Sequence, residues 1–172
     1  MSGLYNKNPI KETFLIGTRF LNRDSLAICL DSVQTQEYYE IVSSMYKNTS
    51  YKYDAMIFSN DNNFPPLVNP CALYYYNYFE YYSGNVLALT IRGAINAMQS
   101  GVFFTKKLWH ISDLNGLKEI SNIVDKIFNF YDEVMFVNEN LRTIFFSFFP
   151  QFNKSKTSIA PLDIMVIEER LK

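Results

Sequence analysis

Short apolar runs alternate with amphipathic stretches along most of this chain, and that alternation constrains its fold more than any other feature. SLAICL (25–30), AMIFS (55–59), NVLALT (85–90), KLWHI (107–111) and EVMFV (133–137) are brief, nearly unbroken apolar runs, the form taken by strands buried on both faces of a parallel sheet. Between them, apolar residues recur at helical spacing. One helix follows Asp31-Ser32 and carries Tyr38, Ile41, Val42 and Met45. A second, capped by Thr90 and stopped by Gly101, carries Ile91, Ala94, Ile95 and Met98. A third, capped by Asp113, turns Leu117, Ile120, Val124, Ile127 and Phe128 inward and Lys118, Glu119, Asn122 and Asp125 outward. A fourth follows Asn138 with Leu141, Ile144, Phe145 and Phe148 and stops at Pro150. Asn60 to Pro66 reads as a turn and the start of a long loop, and the tail SIAPLDIMVI allows a sixth strand and a short final helix.

Strands alternating with helices imply right-handed βαβ units. The expected fold is therefore α/β: one Rossmann-like, doubly wound domain over residues 1–172, with a mostly parallel sheet of about five or six strands flanked by helices. Residues 1–24 form an N-terminal extension or edge element, and 151–172 a C-terminal tail element. At 172 residues and 48% apolar content the chain suits one sizeable core rather than two domains. A net charge of −1 argues against a partner held through phosphates, so no nucleic-acid partner is expected. No apolar run approaches a membrane span and the N-terminus lacks a signal-peptide core, so no membrane partner and a cytoplasmic location are expected. Cys29 and Cys71, without CxxC spacing, read as reduced buried thiols.

In a doubly wound sheet ligands sit beyond the carboxyl ends of the strands. The residues there are polar each time: Asp31, then Asn60 and Asp61, then Thr90, then His110 and Asp113, then Asn138 and Glu139. Helix caps alone explain many of them. His110, the only histidine, is not needed as a cap; it is a candidate base or donor, although a single His on an apolar strand also serves as a packed core residue. Trp109, pointing to the opposite face, reads as core. The six tyrosines between Tyr74 and Tyr82 suit a sugar- or base-stacking surface, a protein interface, or a strand or loop covering the sheet. GxGxxG, GK[ST], HExxH, GxSxG and Asp-x-Asp are all missing, which argues against a dinucleotide-binding dehydrogenase, a P-loop enzyme and metal-held nucleotide chemistry, and no metal site is expected.

The segments DAMIFSND, YYSGNVLALTIRGAINAM, KKLWHISDL and YDEVMFVNENLRTIFFSFFP, in this order, resemble the N-terminal, acceptor-side Rossmann half of GT-B glycosyltransferases, particularly the divergent forms carried by tailed phages. The resemblance spans roughly residues 25–150 and rests on Gly84 to Thr90, Trp109 to Asp113 and Asp132 to Glu139. It implies a domain that binds a sugar or nucleotide sugar, with metal-independent transfer if it is an enzyme. His110 or Asp113 would be the catalytic base, and Asn60, Asp61, Thr90, Asn138 and Glu139 the ligand-binding set. No resident cofactor is implied, the nucleotide sugar being a co-substrate. Because the family closes two such halves on each other, the resemblance also implies a donor-domain partner protein or a homodimer, located in host cytoplasm if the protein is viral. The alternative is a non-enzymatic α/β interaction protein, such as a viral accessory or assembly factor, that uses its tyrosine-rich surface.

Overall fold

The computed structural model describes residues 26–31, 55–59, 72–75, 84–101 and 103–171. Strands β1 (Leu26–Cys29), β2 (Ala55–Ser59), β3 (Ala72–Tyr75), β4 (Gly84–Ala88), β5 (Phe104–Ile111), β6 (Glu133–Phe136) and β7 (Thr157–Ile159) form one sheet in the order β3-β2-β1-β4-β5-β6-β7. Every neighbouring pair is parallel. The helices are α1 (Ile91–Gln99), α2 (Val124–Phe130), α3 (Glu139–Phe148) and α4 (Ile164–Leu171). This is the expected Rossmann-like α/β arrangement. The described residues hold seven strands rather than five or six, and the addition is β3 at the head of the tyrosine-rich stretch. A run of consecutive tyrosines suits a strand by shape but has no alternating pattern to betray it. The helix expected over Tyr38 to Met45, the Asn60 to Pro66 turn, Cys71 and the remaining tyrosines of that stretch lie outside the described residues.

Strand alternation divides the core. Ala27, Cys29, Val86, Ala88, Trp109, Ile111, Val134 and Phe136 join one cluster with residues of α1, α2 and α3. Three successive right-handed crossovers running the same way along a sheet must place their helices on one face, as these do. Leu26, Ile28, Leu87, Leu108, His110 and Met135 alternate with them and are buried on the opposite face. There α4 returns: Arg170 lies 3.6 Å from Glu133, and Ile167 is fully buried.

Aromatic packing ties the helices together. Phe128 and Phe152 stack with centroids 4.6 Å apart, and Phe145 meets Phe136 at 5.2 Å and Phe149 at 5.1 Å. The Tyr131 hydroxyl donates to Ala94 O of α1 at 2.9 Å beneath Trp109, and burial pushes its pKa well up, so it stays a donor. Lys156 donates to the carbonyls of Phe128 and Asn129 at the C-terminus of α2, at 2.6 and 3.1 Å.

Two helical expectations are corrected. Asp113 does not cap a helix: Asn115 to Ile123 is a chain of turns closed by i→i−3 bonds such as Leu117 N to Leu114 O, and α2 starts only at Val124. Gly116 explains the interruption, since its φ of +78° cannot belong to a right-handed helix. The inward face of α3 is also shifted. Phe145 and Phe146 are buried, whereas Ile144 and Phe148 are exposed.

Gly93 sets how closely α1 lies against the sheet. A Cβ there would stand 2.5 Å from Cys29 O, 2.7 Å from Cys29 C and 2.9 Å from Leu30 N, all of them backbone atoms of the β1 end. Glycine is required by close approach, not by a special backbone angle. Gly93→Ala should therefore destabilise the protein by about 1–3 kcal/mol despite alanine's better helix propensity. Urea unfolding of the two proteins checks this; an unchanged midpoint would show that the strand end yields freely.

Candidate functional site

The strand order reverses direction between β1 and β4: connections from β1 run toward β3, and those from β4 toward β7. Such a point leaves a crevice outside the carboxyl ends of the two strands. Here it is a cleft of about 720 Å³ over the ends of β1, β4 and β5. One wall is the first turn of α1, from Thr90 to Ile95; the other is the turn segment Asn115 to Ile120. Asp31, Ser112 and Asp113 contribute from the strand ends, and Trp109 and Ile111 from the floor.

The α1 wall offers donors. The Thr90 side chain accepts from Gly93 N at 2.9 Å, which leaves its own O–H free to donate. Ala94 N is taken by Thr90 O, so Ile91 N and Arg92 N are the first-turn amides without an intrahelical partner. Arg92 stands exposed beside them. The facing wall offers acceptors. Asp113 is exposed; its Oδ1 accepts from Asn115 N at 2.8 Å, closing an Asx turn, and Glu119 is exposed beyond it.

His110 takes a different position from Asp113. Its side chain leaves β5 on the face opposite Trp109 and is fully buried. Nε2 lies 2.9 Å from Ala160 O, and a carbonyl can only accept, so Nε2 carries the proton. Nδ1 is then the acceptor facing Ser112 Oγ at 3.4 Å. Burial lowers the pKa of His110, partly offset by the bond to Ala160, and the ring is neutral near pH 7. It fastens the segment after β7 to β5. His110 is nonetheless among the residues that line the cleft.

Of the residues singled out from sequence, the structure thus brings Thr90 and Asp113 together at the cleft, with Asp31 beside them and the His110 ring behind. Asn138 and Glu139 are elsewhere. Asn138 caps α3 by accepting from Leu141 N at 2.8 Å, and Glu139 pairs with Arg142 at 3.3 Å. Asn60 and Asp61 lie outside the described residues. Arg92, Ser112 and Glu119 were not anticipated. Arg92 was legible as the second residue behind a cap at a strand end. The helical pattern gives Glu119 an outward face, but Asn115 to Ile123 forms turns and Glu119 lines the cleft.

No group of three or more His, Cys, Asp or Glu among the described residues is arranged to hold a metal ion, and no helix among them is long and apolar enough to cross a membrane. No protein-family model, curated protein or solved structure matches the chain.

The buried imidazole has a consequence for stability. In the unfolded chain its pKa is about 6.5, above the folded value, so the unfolded state binds more protons as pH falls. The stabilisation is complete above about pH 6.5 and is lost as pH drops toward the folded pKa, with a slope of at most about 1.4 kcal/mol per pH unit. Urea unfolding at about pH 5.5 and about pH 7.5 should show this loss in the wild type and a smaller one in His110→Gln. Equal losses would mean that the ring is not buried neutral.

Proposed function

We propose that the cleft binds a hydroxyl-rich sugar, and that the chain serves as the acceptor-binding half of a glycosyltransferase of the GT-B type. The observation that carries this is the opposition of the two walls: free N–H and O–H donors on α1, and the Asp113 and Glu119 carboxylates on the facing turns. A sugar hydroxyl both donates and accepts, so a polyol lying between the walls satisfies each of them. A diphosphate would satisfy only the donors. Among the described residues, the Asp113 and Glu119 carboxylates face a single guanidinium, Arg92, and this balance favours a neutral ligand over a dianion. The nucleotide sugar accordingly belongs to a second body, a partner protein or a second copy.

In this scheme Asp113 is the base. With Oδ1 held by Asn115 N, Oδ2 accepts the acceptor hydroxyl. As that oxygen bonds to the anomeric carbon, its proton passes to Oδ2 and the nucleoside diphosphate departs with the electron pair of the broken glycosidic bond. His110 is a positioning residue, holding the strand end from which Ser112 and Asp113 project.

A thermal-shift panel of neutral monosaccharides, oligosaccharides, nucleotides and nucleotide sugars tests the proposal. A bound ligand at about 100 times its Kd adds about 2.7 kcal/mol, a rise of about 5–10 °C for a chain of this size. A rise with a neutral sugar is expected, weakened about ten-fold or more in affinity by Asp113→Asn, whose exposed site leaves the fold intact. A response confined to nucleotides, or none at all, overturns it. In the latter case the interaction-protein alternative gains. Of the tyrosine-rich stretch it invokes, Tyr74 and Tyr75 belong to edge strand β3.

A further inference from the structure

Beyond the Asn115 to Glu119 turn lies a second cavity of about 490 Å³ that none of the roles above uses. Leu114, Leu117, Phe148 and Phe149 supply its apolar lining, and Lys118 and Ser121 part of its polar lining. It shares Asn115, Gly116 and Glu119 with the main cleft, so a single strip of chain separates the two. Within that strip Gly116 carries no side chain. A Cβ built there would meet only Glu119 Oε2, at 3.8 Å, so the space above this residue is open. The positive φ of +78° also keeps side chains out of it, since L residues rarely adopt that conformation.

The lining is mixed in a particular way. Phe148 is 55% exposed although it sits at the end of a helix whose neighbouring phenylalanines are packed inward. A bare aromatic ring at a cavity rim, flanked by polar groups, matches a pyranose, which has a C–H face that lies on aromatic carbon and hydroxyls around its edge. The Lys118 ammonium lies 5.7 Å from the centroid of the same ring. At an exposed site that attraction is weak, so the lysine can yield the ring to a ligand and donate to its hydroxyls.

We propose that this second cavity is a subsite for the next ring of a saccharide, with Phe148 as its platform and the gap at Gly116 as the passage from the main cleft. The ligand class is then an oligosaccharide and not a single sugar. This rests on the sugar-binding role of the main cleft, and the two can fail separately.

The test is calorimetric titration of the full chain with glucose, galactose, mannose, rhamnose and N-acetylglucosamine, and with a set of disaccharides built on each. In at least one series the disaccharide is expected to bind about ten-fold more tightly than the monosaccharide. Phe148→Ala should remove that gap while leaving the monosaccharide affinity within about two-fold, and Phe148→Tyr, which keeps the ring, should retain it. Because the residue is largely exposed, loss of folding is not expected. Monosaccharide binding with no gain from a second ring, or a gain that survives Phe148→Ala, overturns the subsite and leaves the main cleft standing. Absence of binding by sugars of either length overturns both.

Discussion

The closeness of α1 to the end of β1 is the constraint on which the rest of the architecture depends. At Gly93 the helix backbone approaches Cys29 and Leu30 so nearly that no side chain fits between them. This contact fixes the height and tilt of α1 over the sheet, and with them the place of its first turn above the β1 and β4 ends. The sheet supplies the matching surface, because Leu89 N donates to Cys29 O at 2.9 Å and carries the β1–β4 ladder up to the foot of the helix. The positions of Thr90 and Arg92 are therefore consequences of a packing distance. Were α1 farther from β1, the cleft would lose the shape of its donor wall before it lost any residue.

The remaining helices are held by means that leave this region undisturbed. Phe128, Phe145, Phe149 and Phe152 pack α2, α3 and the chain after α3 into one aromatic block. At the amino end of β6, Lys107 and Asp132 exchange backbone and side-chain bonds: Lys107 N to Asp132 Oδ2 and Asp132 N to Lys107 O, both at 2.8 Å, with a 3.2 Å ion pair beside them. These anchors sit in the body and at the amino ends of the strands. The carboxyl ends carry polar groups, and from the far face the His110 to Ala160 bond ties the end of β5 to the segment after β7.

Much of the fold was legible because its signal is additive. Each buried strand is a short apolar run, each cap a polar residue at a strand end, and the burial of Trp109 with His110 on the opposite face follows from a period of two. Thr90 and Asn138 do cap helices, for the reason the sequence suggests. What escaped notice depends on single backbone angles or on space. Gly116 turns an apparently continuous helical pattern, Leu117 to Phe128, into turns followed by a short helix, and no periodicity count registers one positive φ. The alternation that placed Trp109 could not say which face the cleft favours. Polarity at a strand end thus marked Asp113 and His110 alike, though one carboxylate is exposed and the other side chain is sealed.

That one interruption also decides the chemical character of the cleft. In a parallel sheet every crossover helix points its N-terminus at the carboxyl edge, so both walls of a switch-point crevice tend to be donor walls that attract anions. Had α2 begun at Asp113, its carboxylate would have been consumed by the helix's own amides and its first turn would have faced the α1 turn, donor against donor. With the helix delayed to Val124, Asp113 satisfies one amide only, that of Asn115, and Glu119 swings from a solvent face to the rim. One wall keeps its donors and the other gains acceptors. Unlike walls suit a ligand that both donates and accepts, as the proposed sugar would, and the placement of a single glycine thereby bears on the shape and polarity of the cleft.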